Sequence, residues 1–181
     1  MEKNEIKNKA RHLTERRQFR IIKSNDCGYI SLDDICEEYN ILIYSVDFNK
    51  IPEQQNCEGI IYFSKKENTY NIIVQENLNI FRKRYAIAVQ LGHFFLGHVN
   101  KNEIIDLFDK NIMYDEKKAS DIRLKEAIIF AKELLMPEKD FRHECSRGIC
   151  LFLSLISDTF KVSKLAVKNR CLELGLNEFY D

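Results

Sequence analysis

Four histidines and six cysteines are the side chains of this 181-residue chain best suited to metal or nucleophilic chemistry. His93 and His98 lie five residues apart. On a helix that is about 140° of rotation, so the two cannot chelate one ion unless the helix ends between them. By composition the better ligand cluster is His143, Glu144 and Cys145, with Cys150 five residues further on. It lacks a zinc-finger spacing, and a Cys/His nucleophile pair built from it has no third group to orient it. The cysteines at 27, 36, 57, 145, 150 and 171 include no C-x-x-C pair, which removes the zinc-ribbon spacing. Neither a glycine-rich phosphate loop nor a G-x-S-x-G elbow occurs.

The elements that must position these groups change character along the chain. Residues 1–23 read as an amphipathic helix with Ile6, Ala10 and Leu13 on its apolar face, a solvated docking helix rather than a nucleic-acid arm. Asn25–Gly28 reads as a turn, and Ser31 as the N-cap of a short helix through Cys36 and Tyr39. Ile41–Val46, Gly59–Phe63 and Tyr70–Val74 are rich in β-branched and aromatic residues and read as strands. Residues 47–57 form a polar loop, and Ser64–Asn68 is a connection of hairpin length. Beyond residue 78 the period becomes helical: Phe81–Val99, a short helix at Ile104–Phe108, and Ile122–Met136, stopped by Pro137. Gly148–Phe160 and Ser163–Leu174 form a closing pair, with Gly175 placed to end it. Strands early and helices late indicate an α+β fold, with a small three-stranded antiparallel sheet packed on a helical bundle.

Lysine plus arginine equals aspartate plus glutamate, 28 against 28, so no overall charge draws the chain to nucleic acid or acidic membrane. Hydrophobic residues at 45% can supply a sizeable core. No secretory signal and no transmembrane span is visible, so the expected location is cytoplasmic and the cysteines are expected as reduced thiols.

The segment Arg84-Tyr85-Ala86-Ile87-Ala88-Val89-Gln90-Leu91-Gly92-His93 resembles the R-F-x-I-A-H-E-L-G-H helix of the ImmA/IrrE-type metallopeptidases. Glu126-Ala127-Ile128-Ile129-Phe130-Ala131-Lys132-Glu133-Leu134-Leu135-Met136-Pro137 resembles that family's E-x-E-A-N-x-F-A-x-E-L-L-M-P. Glu58–Tyr62 and the run from Phe160 to Leu176 fit the same layout, so four segments agree in order over residues 30–176. The resemblance implies a zincin-like peptidase scaffold over 1–145 and a helix-turn-helix-like segment over 146–181. It also implies peptide hydrolysis by a zinc ion held by two histidines one turn apart and a glutamate from the later helix, with a second glutamate activating water.

The chain departs from that chemistry position by position. Val89 stands at the first histidine, Gln90 at the general base, Leu124 at the third ligand and Ile128 at the family's asparagine; only His93 remains. Valine and leucine offer no lone pair, and an amide accepts no proton at neutral pH. The expectation is a pseudo-metallopeptidase without zinc, its ligand positions filled by aliphatic side chains. It would act as a regulatory protein that binds a protein partner. Family members act with helix-turn-helix repressors, often of phages or mobile elements, so a repressor of that kind is the expected partner. Two alternatives stay open: a peptidase with relocated ligands such as His143, Cys145 and Cys150, and a DNA-binding regulator using Lys164, Lys168, Asn169 and Arg170 of the closing helix pair.

Overall fold

The computed structural model describes residues 1–24, 27–51, 57–100, 104–106, 119, 121–146 and 153–176. In chain order the elements are α1 (Lys3–Thr14), a 3-10 turn at Arg17–Phe19, β1 (Arg20–Ser24), β2 (Cys27–Ile30), α2 (Leu32–Glu38) and β3 (Ile41–Val46). A second 3-10 turn at Phe48–Lys50 leads towards β4 (Gly59–Ser64), β5 (Thr69–Gln75), α3 (Ile80–Phe95) and β6 (Ile104–Asp106). The helices α4 (Ile122–Leu135), α5 (Glu138–Ser146), α6 (Leu153–Phe160) and α7 (Lys164–Glu173) follow. The fold is α+β, with small sheets packed on helices.

The main sheet differs from the expected antiparallel trio. It has four strands in the order β3-β5-β4-β6, and β3 runs parallel to β5, with Ile43 opposite Ile72. The β4–β5 hairpin inserts β5 next to β3, and apolar patterning carries no information about which strand becomes a neighbour. Residues 104–106, expected as helix, pair antiparallel with β4, with Tyr62 opposite Ile104 and Ile60 opposite Asp106. Leu107 and Phe108 of that expected helix lie outside the described residues. The helix expected over 1–23 stops at Thr14, and Arg20–Ser24 pairs with Cys27–Ile30 in a separate hairpin. The tip of the expected turn, Asn25 and Asp26, lies outside the described residues, as do 52–56 of the expected loop and the start of the helix expected at Gly148.

Local signals set the helix ends that position the site. The Asn79 carboxamide accepts from the Arg82 N–H at 3.0 Å and starts α3. Gly97, with φ 73°, ends it: the His98 N–H donates to the His93 carbonyl at 2.9 Å, a Schellman-type closure that needs a left-handed residue. The Asp121 carboxylate caps α4, accepting from the Arg123 N–H at 2.6 Å. Gly175, with φ 68°, follows α7 as expected.

The middle of the molecule is α3. Every residue from Tyr85 to His93 is buried, because α3 lies between the sheet on one side and α4 on the other. The two helices cross where Gly92 meets Ala127: a Cβ on Gly92 would sit 2.8 Å from the Ala127 carbonyl oxygen. Glu133 of α4, fully buried, then ties three elements together. It accepts from Arg11 of α1 at 2.7 Å and from Arg170 of α7 at 2.5 Å.

Candidate functional site

The close crossing at Gly92–Ala127 decides which side chains meet. Val89 and His93 are one turn apart on α3, and Leu124 and Ile128 one turn apart on α4. All four are buried, and the three aliphatic ones belong to the same hydrophobic core. The positions that resemble a peptidase's ligand set are therefore interior positions of a packed core.

Gln90 is turned the other way, towards the sheet. Its amide nitrogen donates to the Gly59 carbonyl at 3.0 Å, at the start of β4. Glycine at 59 makes this approach possible, since a Cβ there would lie 3.1 Å from that nitrogen. The Gln90 carbonyl oxygen is buried without a hydrogen-bond partner. An amide held this way tethers helix to strand and has no basic lone pair for a proton.

His93 heads a chain of polar contacts. Its Nδ1 lies 3.2 Å from His98 Nδ1, and His98 Nε2 lies 2.9 Å from Glu126 Oε2. The other carboxylate oxygen of Glu126 accepts from the amine of Met1. Burial opposes the Glu126 charge, but the bonds from that amine and from His98 outweigh it and hold the carboxyl below its usual range. Burial, with His98 and Arg123 nearby, pushes the His93 imidazole down to about 3. His98 is also lowered by burial, which the Glu126 bond only partly offsets.

Both rings are therefore neutral at pH 7, and the contacts fix their tautomers. A carboxylate only accepts, so His98 donates from Nε2 and must accept at Nδ1. His93 then donates from Nδ1 and keeps its lone pair on Nε2, which is buried without a partner. This arrangement, with one nitrogen donating to a polar chain and the other bare, is how metal-bound histidines are usually oriented. The sequence left His93 and His98 apart unless the helix ends between them, and the helix expected to Val99 does end there, at Phe95. Gly97 ends the helix between them, and the leucine-glycine pair at 96–97 was the available signal. Glu126, which composition did not single out as a functional group, completes the chain.

The donor set nevertheless does not fit a catalytic zinc. Such a site needs three protein ligands, and His93 Nε2 is accompanied by Val89 and Leu124. Among the described residues, no group of three His, Cys, Asp or Glu side chains is placed to hold a metal ion. In the other proposed cluster His143 is exposed and Cys145 buried, two positions apart on α5, hence on opposite faces. Cys150 lies outside the described residues.

The closing helices do not present the basic face that the sequence suggested. Lys164 and Lys168 are exposed and Asn169 is half-buried, but Arg170 is only 1% exposed and bonds to Glu133 and to the Met136 carbonyl. Its charge serves the interior, so it leaves the list of candidate DNA contacts. Leu165 and Leu172 share the outer side of α7 with the lysines. No described helix is long and apolar enough to cross a membrane.

A strand hairpin running into a buried helix, crossed by a second helix at its ligand positions, defines a zincin-like scaffold. The model of the IrrE N-terminal-like domain matches residues 36–172, and the chain belongs to that family. Among solved structures, a Mycobacterium tuberculosis transcriptional regulator is similar in fold, with a TM-score of 0.55 and 16% identity. The similarity covers 92% of this chain and 46% of the regulator, so this chain spans less than half of that protein's length. No curated protein sequence matches the chain.

Proposed function

We propose that this chain is a catalytically inactive member of its family, a pseudo-metallopeptidase that regulates by binding a protein partner. The observation that carries this reading is the burial of Val89, Leu124 and Ile128 where the family's ligands and their asparagine neighbour stand. Three aliphatic side chains packed into the core, each contributing about 1.5–3 kcal/mol, make the interior favourable without a metal. Gln90 supports the same reading, being committed to the Gly59 carbonyl. The partner we infer is a helix-turn-helix repressor of the kind family members act on, such as one from a phage or mobile element. The site of action is the cytoplasm.

The test is capture from the native host with the tagged full chain, followed by intact-mass analysis of what is bound and metal analysis of the bait. A repressor recovered at full length, on bait with far less than one zinc per chain, is the expected result. Recovery of a cleaved partner, or one equivalent of zinc lost when His93 is replaced, would overturn the proposal.

A further inference from the structure

The two edges of the main sheet are not alike. The β4 side is covered by β6, so β4 and β5 are both interior. On the far side, among the described residues, β3 pairs only with β5. Val46 is opposite Gln75, and its carbonyl accepts from the Glu76 N–H, so Leu42, Tyr44 and Val46 direct their backbone groups at β5. Ile43 and Ser45 direct theirs outward, and among the described residues nothing bonds to these backbone groups, the Lys83 ammonium donating instead to the Ser45 hydroxyl at 2.6 Å.

Proteins usually blunt such an edge with a lysine, a proline or a bulge. The β3 sequence, Ile-Leu-Ile-Tyr-Ser-Val, has no charged residue and no proline, and its register with β5 is unbroken. Beside this edge lie two cavities, of about 640 and 330 Å³, that meet at Asp33 and Ile43. The larger is lined by apolar groups including Phe81 and Ile80, the latter 74% exposed, and by Lys83, Arg84 and Lys161. The smaller has Asp33 and Glu37 at its wall.

Arg84 is the unusual member. Its guanidinium lies over the Tyr29 ring at 5.1 Å and donates to the Ile30 carbonyl, yet its Nε is buried without a partner. Among the described residues no carboxylate lies within ion-pair distance of it; burial pushes it down to about 10, which the charge of Asp33 only partly offsets. Buried charges are ordinarily paired, and this one faces a groove. Asp33, where the two cavities meet, and Glu37 in the smaller one repel a polyanion along the groove, whereas a strand carrying a single carboxylate placed at Arg84 suits it.

We propose that the free edge of β3 is a docking site for an extended segment of a partner protein, which adds as a strand at Ile43–Ser45 and delivers an acidic side chain to Arg84. Main-chain bonds supply the affinity, and the apolar groove and Arg84 select alternate side chains. The site is separate from the filled ligand positions and stands whether or not those positions ever hold metal.

The test pans a displayed library of random linear octapeptides against the full chain. The expected result is enrichment of sequences alternating apolar residues around one Asp or Glu. Arg84→Gln should weaken the selected peptide at least tenfold, and so should replacing its acid by Lys. N-methylation of every second amide should abolish binding in one register and spare it in the other, a result that needs no change to the protein. Hydrogen exchange should show new protection at the Ile43 and Ser45 amides. The proposal is overturned by failure to enrich any such peptide, by affinity indifferent to both Arg84→Gln and N-methylation, or by sedimentation showing the edge already taken by a second copy of the chain.

Discussion

Within one turn of α3 the molecule surrounds its buried face in two ways. On the side of Val89, Leu124 and Ile128 the packing is aliphatic. On the side of His98 and Glu126, a hydrogen-bonded chain still presents His93 with its Nε2 lone pair bare. On the reading proposed above, the support suited to a metal-bound histidine is kept where the other ligands are not. The two regions differ because they answer to different energetics. A ligand position costs nothing to fill with a methyl-bearing side chain, whereas removing one member of a buried polar chain strands the others without partners. The family asparagine's replacement by Ile128 removes one polar neighbour, but His93 itself is not short of support.

The largest expected effect comes from reversing the first half of the contrast. Val89→His, Gln90→Glu and Leu124→Glu together build the ligand set that the resemblance implies, and place two new polar groups, and a carboxylate for an amide, in a dry core. Without zinc the variant should lose at least about 3 kcal/mol in urea denaturation. With zinc it should recover part of that loss and bind the ion weakly in calorimetry. Adding Glu126→Ala should weaken that binding about 10–100-fold, the cost of an unsupported histidine. Full peptidase activity in the triple variant would show that the core has not been repacked around its aliphatic side chains.

Acid should expose the second half. His93 and His98 both titrate lower in the fold than the 6.5 of a free imidazole. The unfolded chain therefore takes up protons first as pH falls. The stability these rings contribute is complete above 6.5 and declines below it, for His93 down to about 3. Each imidazole adds a slope of about 1.4 kcal/mol per pH unit inside its window. His93→Gln should remove one such slope from a plot of unfolding free energy against pH, between 6 and 4. An unchanged slope would mean that His93 is charged or exposed in solution.

The sequence made one half of this contrast legible and hid the other. The burial of Val89 and Leu124 accords with their place in a motif-like order, and their reading as former ligand positions rests on that order alone. The α+β fold and the bounds of α4 and α7 followed from apolar period and from Pro137 and Gly175. The polar chain was hidden because it depends on where α3 stops, a matter of the left-handed Gly97, and on a glutamate from another helix. Arg170 was misread for the same reason: a basic residue on a short helix looks solvated until its buried partner Glu133 is seen. The parallel placement of β3, and the strand at 104–106, depend on partners distant in the chain.

Glu126 tests whether the polar chain stabilises the fold. Glu126→Ala leaves the His98 Nε2 proton without its acceptor and should cost about 1–3 kcal/mol. Glu126→Gln keeps an acceptor for His98 and should cost less than half as much. Thermal melts of the two at pH 7 check this, and equal losses would show that the carboxylate's charge, not its hydrogen bond, is what matters.

The smallest effect is expected at Gln90, which sits between the two regions and belongs to neither. Its Nε2 bonds to the Gly59 carbonyl, while its Oε1 is buried and unpaired. Gln90→Leu gives up one neutral hydrogen bond, worth about 0.5–1.5 kcal/mol, and at the same time removes an unsatisfied oxygen whose burial costs about as much. The Gly59 carbonyl keeps the Cys57 thiol as a donor, at 3.4 Å, so the substitution leaves no new orphan. The two contributions nearly cancel, and the urea midpoint should move by less than the equivalent of about 1 kcal/mol in either direction. A loss of several kcal/mol would show that the tether to β4 is a principal constraint on α3. Gln90 would then belong with His98 and Glu126 in one polar framework, and not with the aliphatic residues packed beside it.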